Sequence, residues 1–322
     1  MQTMQYAEAV VLLFDPKRAV RKQTKSILNV LGFKTFLEFQ ELADVYTVLC
    51  NQRVELVILA VDAKYSGVLS LVDDVRRQHC GLDPFVPILL TAWDSKLSTL
   101  RPVVESGADD VLLHPFSTAQ MGERIDALVR CRKPFVVSEA YLGPDRRTTV
   151  DRCADLPPII VPNALQARAL GQNELGPTED RIEESLANLR RLKLRNMARR
   201  IWHKANCLKN SQLDPLLPDR YHGELNRLGK SIQVYRKTLA SGDSTDLKNL
   251  CDSLIAVVNK QLGSRPVARG LELLEQSALA LRVASKLEFE LNDTSEIDNE
   301  AIAKAEAKAV NVDVDLIRAV MG

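Results

Sequence analysis

A chain of 322 residues exceeds one ordinary small domain, so two domains are expected and three fall within range. A hydrophobic fraction of 46% and a charged fraction of 26% exclude wholesale disorder. The 43 basic and 42 acidic residues leave a formal charge of +1, which speaks against a uniformly polyanion-binding surface, although such a sum hides opposed blocks.

The opening MQTMQYAEAV has no basic stretch leading into an apolar core, so a secretory leader is not expected. The purest apolar runs, such as Val10 to Phe14, are about a quarter of a membrane span. Cys50, Cys80, Cys131, Cys153, Cys207 and Cys251 are scattered with no CxxC pair, and His79, His114, His203 and His222 are equally dispersed. Neither a metal site nor a cofactor is expected from them, and the cysteines read as reduced thiols of a cytoplasmic protein.

From residue 9 to 135, short apolar runs alternate with amphipathic stretches. The runs are Ala9 to Phe14, Lys34 to Leu37, Val54 to Val61, Val86 to Thr91 and Val111 to Leu113. Helical patterns fall at roughly 17–31, 40–51, 66–79, 96–106 and 117–131. Runs that are apolar throughout are strands buried on both faces, as in a parallel sheet covered by helices. The pattern predicts an α/β, flavodoxin-like, doubly wound sheet of five parallel strands. Residues 136–178, rich in proline and without sustained periodicity, read as a linker. From 179 to 322 the chain is helical in pattern, over roughly 179–209, 219–240, 244–262, 266–291 and 298–321, with Thr178-Glu179-Asp180 as a helix start.

The quoted strands carry a family signature. Val11-Leu12-Leu13-Phe14-Asp15, Glu55-Leu56-Val57-Ile58-Leu59, Pro87-Ile88-Leu89-Leu90-Thr91-Ala92, Gly107-Ala108-Asp109-Asp110 and His114-Pro115-Phe116 follow one another in order and spacing. Over about residues 8–135 the chain resembles the receiver domain of two-component response regulators. The resemblance implies a phosphoacceptor aspartate ending the third strand, an acidic pair after the first that helps hold a divalent cation, a Ser or Thr ending the fourth, and a lysine after the fifth. This sequence departs at most of these positions. The phosphoacceptor position falls on Ala60, the acidic pair is Asp15-Pro16, the lysine position holds His114, and the fifth-strand aromatic position holds Val111, while Thr91 matches. A phosphorylation-independent pseudo-receiver is the expected reading. Asp62, two residues beyond Ala60, is the alternative acceptor, because it would point to the same strand face about 6–7 Å further along.

Tyr141-Leu142-Gly143-Pro144-Asp145-Arg146-Arg147 follows, a turn presenting paired guanidinium forks suited to an anion. It resembles a Gly-Pro-Asp-Arg-Arg element in the tails of some bacterial receiver proteins. Arg147 and Arg152 have RxxxxR rather than the RxxxR spacing of PilZ domains, so a cyclic dinucleotide stands as a lesser candidate beside pairing with the receiver-like domain.

Charge is segregated. Residues 1–135 hold 16 basic and 16 acidic side chains, residues 181–282 hold 19 and 10, and residues 283–322 hold 4 and 9. Between 190 and 209 eight Lys and Arg occur without an acid, including Arg190, Arg191, Arg195, Arg199 and Arg200. On one helix Ile182, Leu186, Leu189, Met197 and Ile201 share a broad face with Arg190, Lys193 and Arg200. Either long stems cover apolar neighbours or the helix breaks there. This run is read first as a solvated face paired with the acidic C-terminal segment. Next comes a docking surface for an acidic protein, and last a nucleic-acid interface. No helix-turn-helix, phosphotransfer, kinase, cyclase or phosphodiesterase signature is found. The combined expectation is a non-enzymatic signalling adaptor that contacts a protein partner, with a second copy of the chain, or nucleic acid, as lesser candidates.

Overall fold

The structure, a computed structural model, describes residues 5–61, 66–93, 102–103, 105–138, 141–146, 159–172, 174, 176–210, 218–263 and 268–289. The expected helix at 96–106 and the one at 298–321 lie largely or wholly outside these residues, as do Asp62, Arg147 and Arg152. The chain divides into two compact units, residues 1–146 with 158–193, and residues 147–157 with 194–322.

In the first unit, strands β1 (Val10–Phe14), β2 (Thr35–Phe39), β3 (Leu56–Val61), β4 (Ile88–Ala92) and β5 (Asp110–Leu113) form one parallel sheet in the order β2-β1-β3-β4-β5. Phe14 lies beside Leu59 in register, and Ala60 beside Thr91. Helices α1 (Arg18–Val30), α2 (Leu42–Asn51), α3 (Ser66–Arg76) and α4 (Thr118–Arg130) cover it. The side chains alternate along each strand. Val11 and Leu13 therefore join Leu28 of α1 and Met121 and Ile125 of α4 in one core, while Leu12 and Phe14 join Val45 of α2 and Val68 and Val72 of α3 in the other. Ser117 and Gln120 close a reciprocal capping box that starts α4.

The stretch expected to be a linker is structured where it is described. Strand β6 (Phe135–Val137) pairs antiparallel with β7 (Leu142–Pro144), and Phe135 bridges Ile159. Helix α5 (Ala164–Leu170) buries Leu165 and Ala169 in the α1/α4 core, and Asn163 both caps it and donates to Leu128 O at 2.8 Å. These pieces are too short for periodicity to announce them, and tertiary hydrogen bonds hold them.

Among the described residues the helices of the second half are α6 (Glu179–Asn210), α7 (Pro218–Thr238), α8 (Thr245–Leu262) and α9 (Ala268–Glu288). Helix α6 is continuous, so the basic run does not break it, and the two units divide within it, between Lys193 and Leu194 rather than near residue 179. At about 3.6 residues per turn, its buried Ile182, Ser185, Leu189 and Leu192 form one stripe, within the first unit, and its buried Leu194, Met197, Ile201 and Ala205 form another, within the second. The mixed stripe of the sequence is therefore two stripes, one per unit. In the second unit α6 to α9 enclose a core of Ile201, Leu228, Ile232, Leu254, Leu274 and Leu281, with the buried Tyr235 hydroxyl donating to Ser285 Oγ at 3.1 Å. A Cβ at Gly270 would lie 1.8 Å from Gln261 Nε2, so the buried Gln261 amide occupies the space that the glycine leaves.

Candidate functional site

In a parallel sheet all strands end on the same edge, and in the 2-1-3-4-5 order ligands bind beyond those ends, where the order reverses between β1 and β3. That edge carries Asp15, Ala60, Thr91 and His114, so the topology brings together the positions the sequence singles out.

Asp15 is buried, and its Oδ1 accepts from Lys17 N at 2.7 Å while its carbonyl accepts from Arg21 Nη1 at 2.5 Å. The neighbouring Pro16 adds neither a carboxylate nor a donor. Ala60 presents a methyl group beside the buried Thr91. The His114 N–H donates to Ala92 O at 2.8 Å, which ties this residue to the end of β4, and the His114–Pro115 peptide is cis.

The His114 ring is sandwiched. It stacks on Trp93 with centroids 4.4 Å apart and planes 8° apart, and lies 4.4 Å from Phe116 on its other side. Lys17 Nζ sits 5.7 Å from the centre of the Trp93 ring, a cation–π contact that extends the stack. His114 Nε2 is buried with no hydrogen-bond partner. Burial, and then the Lys17 charge, push the imidazole below its ordinary 6.5. The ring is therefore neutral near pH 7 and does not reproduce a lysine's charge.

Sequence reasoning named His114, quoted Phe116 only as part of the motif that follows the fifth strand, and missed Lys17 and Trp93. The available signal was positional, since each lies just past a strand end. Among the described residues no group of three or more His, Cys, Asp or Glu could hold a metal ion.

The arginines divide. Arg146 Nη2 donates to the carbonyls of Ala108 at 2.7 Å and Asp109 at 3.4 Å, so this guanidinium ties β7 to the loop before β5 rather than offering a fork to solvent. Gly143 makes the approach possible, because a Cβ there would lie 2.7 Å from Gly107 Cα. Behind this seam lies an ionic cluster that sequence reasoning did not find. Arg76, completely buried, donates to Gly107 O, Pro84 O, Val86 O and Asp109 Oδ2. Arg132 donates to both Asp109 oxygens, at 2.7 and 3.1 Å, and both guanidiniums lie against the Phe135 ring.

On α6, Arg190, Arg191, Arg195 and Arg199 are half-buried and Arg200 is exposed. Arg191 donates to Asn188 Oδ1 at 3.4 Å, and Arg190, Arg195, Arg199 and Arg200 each engage other groups. The long stems account for the burial, with the charges spread around the helix rather than gathered on one side. Most of the acidic segment suggested as their partner, from residue 290 on, lies outside the described residues.

No family model matches the chain. It is 30% identical over 131 residues to the response regulator MprA of Mycobacterium tuberculosis, covering 40% of this chain and 54% of that protein. It is 22% identical over 148 residues to the phosphate regulon transcriptional regulatory protein PhoB of Pseudomonas aeruginosa, covering 44% and 63%. The chain thus spans about half to two thirds of the length of these curated relatives. Among solved structures, a signal receiver domain from Clostridium thermocellum aligns with 18% identity and a TM-score of 0.35, over 38% of this chain and 98% of its own. This chain's own strand order and its likeness to curated response regulators identify its N-terminal five-stranded region as a CheY-like receiver domain, with the C-terminal helical half unrecognised.

Proposed function

We propose that the protein is a non-enzymatic regulatory adaptor whose receiver domain acts through protein contacts, without aspartyl phosphorylation, and whose helical half is the output or interaction module. The observation that carries this reading is the Lys17–Trp93–His114–Phe116 stack at the strand ends. Phosphoryl transfer to a receiver needs a nucleophile, a cation to neutralise the phosphoryl oxygens and a fixed positive charge. Here Ala60 offers a methyl, Asp15 is a single carboxylate occupied by a backbone N–H, and the ring at the lysine position is neutral and sandwiched. The stack replaces a site that changes charge with one that is permanently filled. A receiver of this kind presents one constant surface to a signalling partner, and the cytoplasm is the compartment this role requires.

The test is the intact mass of the full chain after incubation with acetyl phosphate and magnesium. No phosphoryl adduct is expected. A hydroxylamine-sensitive adduct that disappears in Asp62→Asn would make the protein an unconventional phosphoacceptor and overturn the proposal.

A further inference from the structure

Cys50 and Cys80 are 30 positions apart in sequence, yet their sulfurs lie 3.4 Å apart. Both are free thiols, Cys50 half-buried and Cys80 buried. Two hydrogen bonds, one between backbone groups and one from a side chain, hold the contact. Leu82 N donates to Leu49 O at 3.1 Å, and the Tyr46 hydroxyl donates to His79 O at 3.2 Å. These bonds pin the turn after α3 onto the last turns of α2. The sulfurs are also ordered: the Cys50 thiol donates to Cys80 Sγ, and the Cys80 thiol donates to Tyr46 O at 3.7 Å. A lone pair of Cys80 therefore already faces the sulfur of Cys50. Nothing in the receiver site or in the proposed adaptor role uses this pair.

We propose that Cys50 and Cys80 form a reversible intramolecular disulfide when the protein meets a peroxide, with Cys50 oxidised first and Cys80 resolving it. In the first step the Cys50 thiolate attacks one peroxide oxygen. An S–O bond forms, the O–O bond breaks, hydroxide leaves, and the sulfur becomes a sulfenic acid. In the second step the Cys80 sulfur attacks the Cys50 sulfur. The S–S bond forms as the S–O bond breaks, and the departing hydroxide takes up the Cys80 proton as water. Two thiols and one hydrogen peroxide give one disulfide and two waters.

The assignment of roles follows from access and chemistry. Cys50 meets solvent and Cys80 does not. Burial, with the neighbouring Cys50 thiol, pushes the Cys80 thiol up to about 12, so it stays protonated until the sulfenic acid forms beside it. Held in contact, it reacts at the high effective concentration of a preorganised pair. Closing from 3.4 Å to a bond of about 2.05 Å is then a side-chain adjustment between elements that are already tied together.

The experiment treats the full chain with hydrogen peroxide near neutral pH, blocks the remaining thiols after denaturation, and maps peptides without reduction. The expected result is a peptide joining Cys50 to Cys80 in the monomer, lost on adding dithiothreitol, with the thiol titre falling by two from six. Its rate of formation is expected to be independent of protein concentration. In Cys80→Ser, Cys50 is expected to persist as a sulfenic acid captured by dimedone. In Cys50→Ser, Cys80 is expected to remain fully alkylatable. The proposal is overturned if both thiols remain free once the exposed Cys131 and Cys207 are oxidised, or if Cys50 pairs with one of those instead.

Discussion

Replacing Asp109 by Asn tests how the tail of the receiver domain is fastened. Asp109 Oδ2 accepts from Arg76 Nη2 at 2.9 Å, Arg132 Nη2 at 3.1 Å and Ile88 N at 2.8 Å, and Oδ1 accepts from Arg132 Nε at 2.7 Å. Every neighbour is a donor, so whichever way an amide is turned its NH2 faces donors. The Arg76 side chain is 0% exposed and that of Arg132 6%, so two buried charges lose the carboxylate that they both hydrogen-bond. Burial already lowers the Arg76 guanidinium to about 10 against the opposing pull of Asp109, which shows how costly its charge is in this position. Breaking a buried pair by removing one partner costs about 3–5 kcal/mol. With a urea slope of about 2 kcal/mol/M, the unfolding midpoint falls by about 2 M. Trp93 and Trp202 are the two tryptophans, one in each unit, so fluorescence in a Trp202→Phe background follows the N-terminal unit alone. An apolar double replacement, Asp109→Leu with Arg76→Met, is not expected to recover the loss. It strips donors from the carbonyls of Gly107, Pro84 and Val86, each worth about 1–3 kcal/mol when left buried and unpaired. An Asp109→Asn variant within about 1 kcal/mol of its parent would refute this account.

Three further outcomes are expected. His114 is held below 6.5 in the folded protein, so the unfolded chain takes up that proton more readily. Its contribution to stability is complete above pH 6.5 and is lost as pH falls below that value, and His114→Phe should flatten this part of the pH profile; an unchanged profile counts against the stacked neutral ring. Gly107→Ala should cost at least about 2 kcal/mol, because φ is +94° and a Cβ would lie 2.6 Å from Leu142 O, whereas Gly171→Ala, at φ +65° with open space around it, should cost about 1 kcal/mol. Equal losses in denaturant melts of the two variants would remove the argument for a tight β7 seam. Tyr235→Phe should lower the stability of the helical unit by about 1 kcal/mol through the lost bond to Ser285, read from thermal melts followed at the helical circular dichroism band.

How much of this was legible beforehand differs from element to element. The central strands β1, β3 and β4 were readable because each is apolar on both faces, and expected and observed limits of the five differ by one or two residues at most ends, as for Val111 to Leu113 against Asp110–Leu113. Short β6 and β7 were not, since three residues carry no period and their partners are backbone carbonyls, which look the same behind any side chain. The two stripes of α6 were present in the sequence, but merging them into one face produced the apparent conflict with Arg190, Lys193 and Arg200. Arg146 read as an anion clamp because paired arginines after a turn look alike whether they face solvent or fold inward.

The sequence by itself determined the α/β order, the parallel sheet and the helical C-terminal half, and it identified Asp15, Ala60, Thr91 and His114 as one constellation. The elements follow from local periodicity, and the constellation follows from the resemblance to receiver domains together with the rule that parallel strands end on a common edge. Tertiary structure alone decided that Lys17, Trp93 and Phe116 close around His114, that Asp109 binds two buried arginines, that the described parts of the supposed linker form a short β pair and a helix packed into the core, and that Cys50 touches Cys80. Each is a meeting of side chains from separate elements. Periodicity fixes which face of an element is buried, but not which residue of another element it will find there.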